Sequence, residues 1–239
     1  MRDINTNFIN SMVDLLELLD KQYPKKASLE LVGNRYNLNR DERLILYRGV
    51  FDTESMERRK KKRFDFVRGM GPDSFNIERV IIDGYNVLIS IESYLKGKII
   101  FRALDGYVRD TSGVHGNHAI DDCTQRSVVL IADFVKDLTA EVRSQPDVRV
   151  FLDSPVSKSG ELARSITDLF KQRGVEAEVK ALKNPDSVIE VMSKESAHSL
   201  TATSDTVIID KVEQVVDIPD FVTKNVFGAS VLDLHTLLL

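Results

Sequence analysis

From residue 79 onward, short runs rich in β-branched residues alternate with stretches of helical periodicity, and the runs end in aspartate. Arg79-Val80-Ile81-Ile82 stops at Asp83, Val148-Arg149-Val150-Phe151-Leu152 at Asp153, and Ser199-Leu200-Thr201-Ala202-Thr203 at Ser204-Asp205. A further run, 177–181, leads through Asn184-Pro185 to Asp186, where proline suits a first helical turn. Between the runs, Val128, Ile131, Ala132, Val135, Leu138 and Val142 share one helical face over 121–142. Leu162, Ile166, Leu169 and Phe170 do the same over 159–173, with Gly174 placed as the C-cap. Each parallel strand needs a crossover to return to its starting edge, and helices supply it. The expected fold class is α/β, a three-layer sandwich with a mainly parallel sheet.

Residues 1–70 lack this alternation. Phe8, Met12, Leu15, Leu16 and Leu19 recur at helical spacing, a second helix is expected over 27–36, and a third begins after Asn39. Glu42, three residues past Asn39, completes a capping box. The core side of that third helix reads as Leu44, Leu46, Tyr47 and Val50. Two short helices joined at Asn37-Leu38-Asn39-Arg40 fit a helix-turn-helix as well as any small bundle. The expected organisation is a helical domain over 1–70, ending in a basic run, and an α/β domain over 76–239 with a long insertion at 96–119.

Composition excludes some classes. Apolar residues make up 42% and charged residues 29%, as in ordinary globular proteins, and no apolar run approaches a membrane span. Acids inside the first apolar stretch argue against a signal peptide. A single cysteine, Cys123, allows no internal disulfide and reads as buried filler. A cytoplasmic location is expected. The net charge of -4 argues mildly against nucleic-acid binding, but six consecutive basic residues, Arg58, Arg59, Lys60, Lys61, Lys62 and Arg63, show that distribution matters more than total.

In open parallel sheets the ligand site lies beyond the carboxyl ends of the strands. Asp83, Asp153 and Asp205 are expected there, with Asp186 reaching in from a helix start. At a separation of about 5 Å and an effective dielectric of about 20, each pair of carboxylates repels by about 3 kcal/mol. Such a cluster must hold protons or bind a cation, and hard oxygen donors suit Mg2+ or Mn2+. A turn or capping role is the competing reading for each aspartate taken singly. Gly84 permits close backbone approach beside Asp83, while Asn86 and Ser204 are placed to hold ligating carboxylates by hydrogen bonds.

Ile81-Ile82-Asp83-Gly84-Tyr85-Asn86 resembles the opening motif of the NYN/YacP-like branch of PIN-domain ribonucleases. So, in order, do Phe151-Leu152-Asp153, Asn184-Pro185-Asp186-Ser187-Val188-Ile189 and Ala202-Thr203-Ser204-Asp205. The resemblance covers about 79–210. It implies a PIN-like fold, a divalent metal on Asp83, Asp153, Asp186 and Asp205, and hydrolysis of RNA phosphodiesters by metal-activated water. The sequence as a whole is also similar to an uncharacterised archaeal family with a helical front end.

The insertion departs from that pattern. It carries Arg102, Asp105, Tyr107, Arg109, Asp110, His115 and His118 among four glycines. Read as a lid, it offers Arg102 and Arg109 for phosphate and Tyr107 for base stacking, and the other reading is a surface hairpin. His115 and His118 lack a metal-binding context. Asp121 and Asp122 open a helix, one as its cap, with Asp122 a candidate extension of the acidic cluster. The basic run at 58–63 reads as a solvated face or as phosphate contacts. The leading expectation is a metal-dependent nuclease acting on RNA rather than DNA. Its rivals are a nucleic-acid-binding regulatory module with a degenerate PIN-like domain and another Mg-dependent phosphoryl hydrolase. The oligomeric state is left open, a homodimer among the options.

Overall fold

The computed structural model describes residues 6–71, 75–112 and 118–239. In chain order the first elements are α1 (Thr6–Asp20), α2 (Lys25–Arg35), α3 (Arg40–Gly49), α4 (Thr53–Lys60), β1 (Arg63–Phe64), β2 (Arg79–Asp83) and α5 (Gly84–Leu95). Then come β3 (Ile100–Arg102), β4 (Val108–Asp110), α6 (Asp122–Ala140), β5 (Asp147–Asp153), α7 (Ser159–Gln172) and β6 (Glu178–Leu182). The chain closes with α8 (Pro185–Lys194), β7 (Ser199–Ala202), α9 (Thr206–Lys211), β8 (Val215–Val216), α10 (Ile218–Phe221) and β9 (Leu232–Asp233). Two compact units form, one from 1–61, 98–111 and 230–239, the other from 62–97 and 112–229.

The helical unit begins as its sequence pattern indicates. Phe8, Met12, Leu15 and Leu19 of α1 are buried. Asn39 caps α3 reciprocally: Glu42 N donates to Asn39 Oδ1 at 3.0 Å, and Asn39 N donates to Glu42 Oε2 at 2.8 Å. Ile45 and Leu46 face the core and Tyr47 is exposed, so the inward face is rotated from the one expected. The unit does not end at residue 70. The 98–111 stretch of the insertion is a β-hairpin, β3 antiparallel to β4, and β9 from the chain's far end pairs parallel with β3. Phe101, Ala103, Leu104 and Leu234 join the helical side chains in one core. Four short helices bury little apolar area alone, and the added sheet enlarges what they enclose.

The second unit is an α/β three-layer sandwich built on a six-stranded sheet, ordered β1-β8-β7-β2-β5-β6, with every pair parallel. Val80 and Ile82 of β2 share a core with Val128, Val135 and Leu138 of α6 and with Leu162, Ile166 and Phe170 of α7. Side chains alternate across a strand, so Ile81 belongs to the opposite face, where α8 packs on β2, β5 and β7. Asp121 caps α6 in a capping box with Thr124, and Gly174 ends α7 at a φ of 77°, a left-handed value glycine adopts freely. The end of the basic run enters this sheet as β1, which explains the boundary at 62 rather than 70. Val207-Ile208-Ile209 lies in the helix α9.

Candidate functional site

Strand order reverses at β2. The sheet grows from β2 through β5 to β6 on one side and through β7 to β8 on the other. In open parallel sheets such a reversal is where a ligand crevice forms, here at the carboxyl ends of β2 and β7. Asp83 ends β2, Asp153 ends β5, Asp205 follows β7, and Asp186 stands in the first turn of α8 after β6.

Local sequence fixes each position. Gly84 starts α5 directly against β5. A Cβ there would lie 2.6 Å from Leu152 Cδ2 and 2.8 Å from the Phe151 carbonyl oxygen, so only glycine lets the β2–α5 turn approach its neighbour. Asp83 is 6% exposed, and its Oδ2 accepts a hydrogen bond from Thr203 Oγ1 at 2.8 Å. The same Thr203 Oγ1 accepts from Asp205 N at 3.0 Å. One hydroxyl therefore ties the two strand-end acids together. Asp205 caps α9 through Oδ1, which accepts from Val207 N and Ile208 N.

The polar support differs from that expected of Asn86 and Ser204. Asn86 Oδ1 accepts from Ser204 N at 2.8 Å and from Ser204 Oγ at 2.7 Å, clamping the start of α5 to the end of β7. Neither of these bonds involves a carboxylate. The residue that holds Asp83 is Thr203, whose only sequence signal is its place in Ala202-Thr203-Ser204-Asp205. A buried hydroxyl at a strand end is indistinguishable there from a β-former.

Asp83, Asp153 and Asp186 each feel the charge of neighbouring acids. Burial pushes Asp83 up to about 7; the Thr203 hydrogen bond opposes this, and Asp205, Asp186 and Asp153 push it further, in that order. Asp153 is raised by burial and then by Asp186. Asp186 is raised by burial and then by Asp205, with Lys211 opposing. Lys211 is itself paired to Glu190 at 2.8 Å. Hard carboxylate oxygens of this kind match a divalent cation such as Mg2+ or Mn2+ in donor chemistry. Among the described residues, however, no three His, Cys, Asp or Glu side chains stand in a group that could hold an ion. The charges of the four acids act on one another, yet they stand more openly than such a group requires.

The remaining candidates go elsewhere. Tyr107 is fully buried, and its hydroxyl donates to the Arg59 carbonyl at 3.2 Å. Arg109 is 2% exposed and grips Asp105 bidentately at 2.7 and 2.8 Å. Arg102 pairs with Asp233 at 3.2 Å. Tyr107 and Arg109 are therefore core groups of the helical unit, closed to stacking or phosphate contact. Arg102 is engaged in the same unit, and the lid reading of this stretch does not hold. In the basic run, Arg59 is buried 3.6 Å from Asp105, and Lys62 Nζ donates to the carbonyls of Ile209 and Asp210 at the end of α9. Arg63 pairs with Asp65 and Asp220, and Lys60 with Glu57. Arg58 and Lys61 are exposed. Asp122 is exposed in the first turn of α6 and plays no part in the coupling described for Asp83, Asp153 and Asp186. His115 lies outside the described residues.

Comparison with known proteins gives consistent relatives. Residues 72–221 match the family described as Domain of unknown function (DUF5616), and residues 7–62 match the one described as Protein of unknown function (DUF434). Over 209 residues the chain is 32% identical to the "Uncharacterized protein MJ0935" of Methanocaldococcus jannaschii, an archaeal relative; the match covers 86% of this chain and 91% of that protein. No solved structure matches. Among the described residues no helix is long and apolar enough to cross a membrane.

Proposed function

The chain belongs to the family described as Domain of unknown function (DUF5616), and we propose that it is a divalent-metal-dependent ribonuclease hydrolysing RNA phosphodiester bonds at the β2–β7 crevice. The observation that carries this reading is the state of Asp83: deeply buried, held by one threonine hydroxyl and facing three further acids. A buried carboxylate among like charges is costly unless a cation or a proton joins it. The motif resemblance to NYN/YacP-like PIN ribonucleases supports the reaction class, and the choice of RNA over DNA rests on that resemblance alone.

Asp83, Asp153, Asp186 and Asp205 would hold Mg2+ or Mn2+ on closing from the open spacing described above. When bound, such an ion supplies an activated water and charge neutralisation at a phosphoryl oxygen. The chain's own contribution is positioning. Thr203 fixes Asp83 and Asp205 relative to each other, and the Asn86–Ser204 clamp locks the two strand ends that carry them. Incubation with labelled single-stranded and structured RNAs in Mn2+ or Mg2+ tests the reading. Cleavage that vanishes with chelator and falls at least about 10³-fold in Asp83→Asn and in Asp205→Asn is expected. Equal cleavage by both variants would refute it.

The open spacing of the carboxylates favours one second reading, a nucleic-acid-binding module whose PIN-like site is degenerate. It predicts RNA binding that survives Asp83→Asn, with no cleavage by the unaltered chain.

A further inference from the structure

The helix pair α2 and α3, which the sequence singles out, has no part in the chemistry at the strand ends. Asn37 turns the chain between the two helices at a φ of 51°, and they leave an open groove of about 520 Å3. Its walls are Leu29 of α2 and Arg40, Arg43, Leu44 and Tyr47 of α3. Sites for small ligands typically measure about 300–1,000 Å3. Leu29 and Leu44 are half-buried, and Tyr47, expected in the core, is 40% exposed. Both charges in the walls are positive. The acids of these helices, Glu30, Asp41 and Glu42, are not among them, and Glu42 is committed to capping α3. Arg43 is fixed in place: its Nε donates to the Leu38 carbonyl and its Nη2 to Asn34 Oδ1, both at 3.0 Å. Its guanidinium lies against Gly33, where a Cβ would stand 2.1 Å from Nη1 and 2.5 Å from Cζ. A glycine inside a helix weakens it relative to alanine, and here it makes room for a positioned cation. The other N–H groups of Arg43 have no acceptor among the described residues. Arg40, one turn earlier, is exposed and has no ionic or hydrogen-bond partner among them.

An apolar floor, one aromatic ring and two guanidiniums without a counter-ion suit a flat ring joined to an anion. An unpaired nucleotide is that combination, since its base stacks on aromatic side chains while arginines take the phosphates. In a chain of net charge -4, a groove whose only charges are positive is complementary to a polyanion. A concave groove admits a splayed-out base, whereas a duplex is read by an element that projects into it. We propose that this groove binds an unpaired nucleotide of single-stranded RNA, its base on Tyr47 and Leu44 and its flanking phosphates on Arg40 and Arg43. The choice of RNA rests on the ribonuclease reading. The groove holds the strand through the helical unit and takes no part in breaking a bond.

The test measures binding of a labelled single-stranded RNA of mixed sequence to the full chain in chelator, so that cleavage does not enter. Tyr47→Ala should weaken binding about tenfold and Tyr47→Phe should keep it, because stacking needs the ring and not the hydroxyl. Arg40→Ala should weaken binding several-fold and lower the slope of log affinity against log salt by about 0.7. Gly33→Ala keeps every charge but displaces the Arg43 guanidinium, and should weaken binding as well. Tyr47 and Arg40 are exposed, so their variants should melt at the original Tm. Duplex RNA and inorganic polyphosphate should bind the original chain more weakly and should not respond to Tyr47→Ala. Unchanged affinity in both Tyr47→Ala and Arg40→Ala overturns the site. So does a dimer of this chain that Tyr47→Ala dissociates, or tighter binding of the same sequence as DNA. Each of these leaves the ribonuclease reading to its own cleavage assay. Groove-dependent binding by a chain that cleaves no RNA with any divalent ion supports the site and overturns the ribonuclease reading alone.

Discussion

Both compact units bury aspartates, and two of these, Asp105 and Asp83, are treated in opposite ways. In the helical unit Asp105 has no exposed surface and is enclosed by cations: Arg109 binds it bidentately and Arg59 lies 3.6 Å away. Arg59, Arg109 and Lys25 also stand over the Phe51 ring, at 4.6, 5.1 and 3.7 Å from its centroid. In the α/β unit Asp83 is almost as deeply buried, yet its neighbours are a hydroxyl and three more acids. A buried charge with matched counter-charges belongs to the architecture. A buried charge set among its own kind has been kept at a cost, and sites of function are where such costs are retained.

The sharpest way to break this contrast is to remove the paired acid. Asp105→Ala leaves Arg109 and Arg59 buried without their counter-ion and should destabilise the protein by roughly 3–5 kcal/mol. Urea or thermal unfolding measures it, and the loss should not depend on divalent ions. An effect under about 1 kcal/mol would show that the pair does not organise the helical unit.

Asp83→Asn should act in the other direction. With its carboxyl raised from 3.8 to about 7, the folded chain holds this proton more tightly than the unfolded chain does. The resulting stability is complete below about pH 4 and is lost as pH rises through 7. Asparagine cannot ionise, so the variant should gain roughly 2–4 kcal/mol over the original at pH 8 without metal, and nothing at pH 4. Parallel stability–pH curves for the two proteins would contradict the burial argument.

Thr203→Val is the smallest of the three changes. Losing the hydroxyl removes the bond that holds Asp83 down and the acceptor for Asp205 N. Metal affinity at pH 7 should fall about tenfold, the scale typical of lost outer hydrogen bonds, with the fold retained. Unchanged Mn2+ affinity would mean that Thr203 only fills space.

Sequence pattern made one side of the comparison legible and hid the other. The aspartates at the strand ends could be placed because strand–helix alternation decides which rim they occupy, and Asn39–Glu42 and Gly174 marked their helix ends by local chemistry. The Asp105 cluster could not be. Pairing of β3 with β9 joins residues about 130 positions apart, with no local signal for which strand meets which. Arginine is usually met at surfaces, and the burial of Arg109 and Tyr107 depends on Asp105 and on the Arg59 carbonyl, the latter 48 positions away from Tyr107. Half of the basic run was hidden for the same reason, since Arg59, Lys62 and Arg63 are spent on internal partners. Thr203 was hidden because its role is set by what lies across the sheet from it.

Calorimetric titration of the full chain with Mn2+ at pH 8, set beside Asp83→Asn, tests the central claim most directly. The account predicts saturable binding to the original chain that weakens as pH falls below 7, as protons reclaim Asp83, and is absent from the variant. No binding at millimolar Mn2+, or equal binding by both proteins, would contradict it.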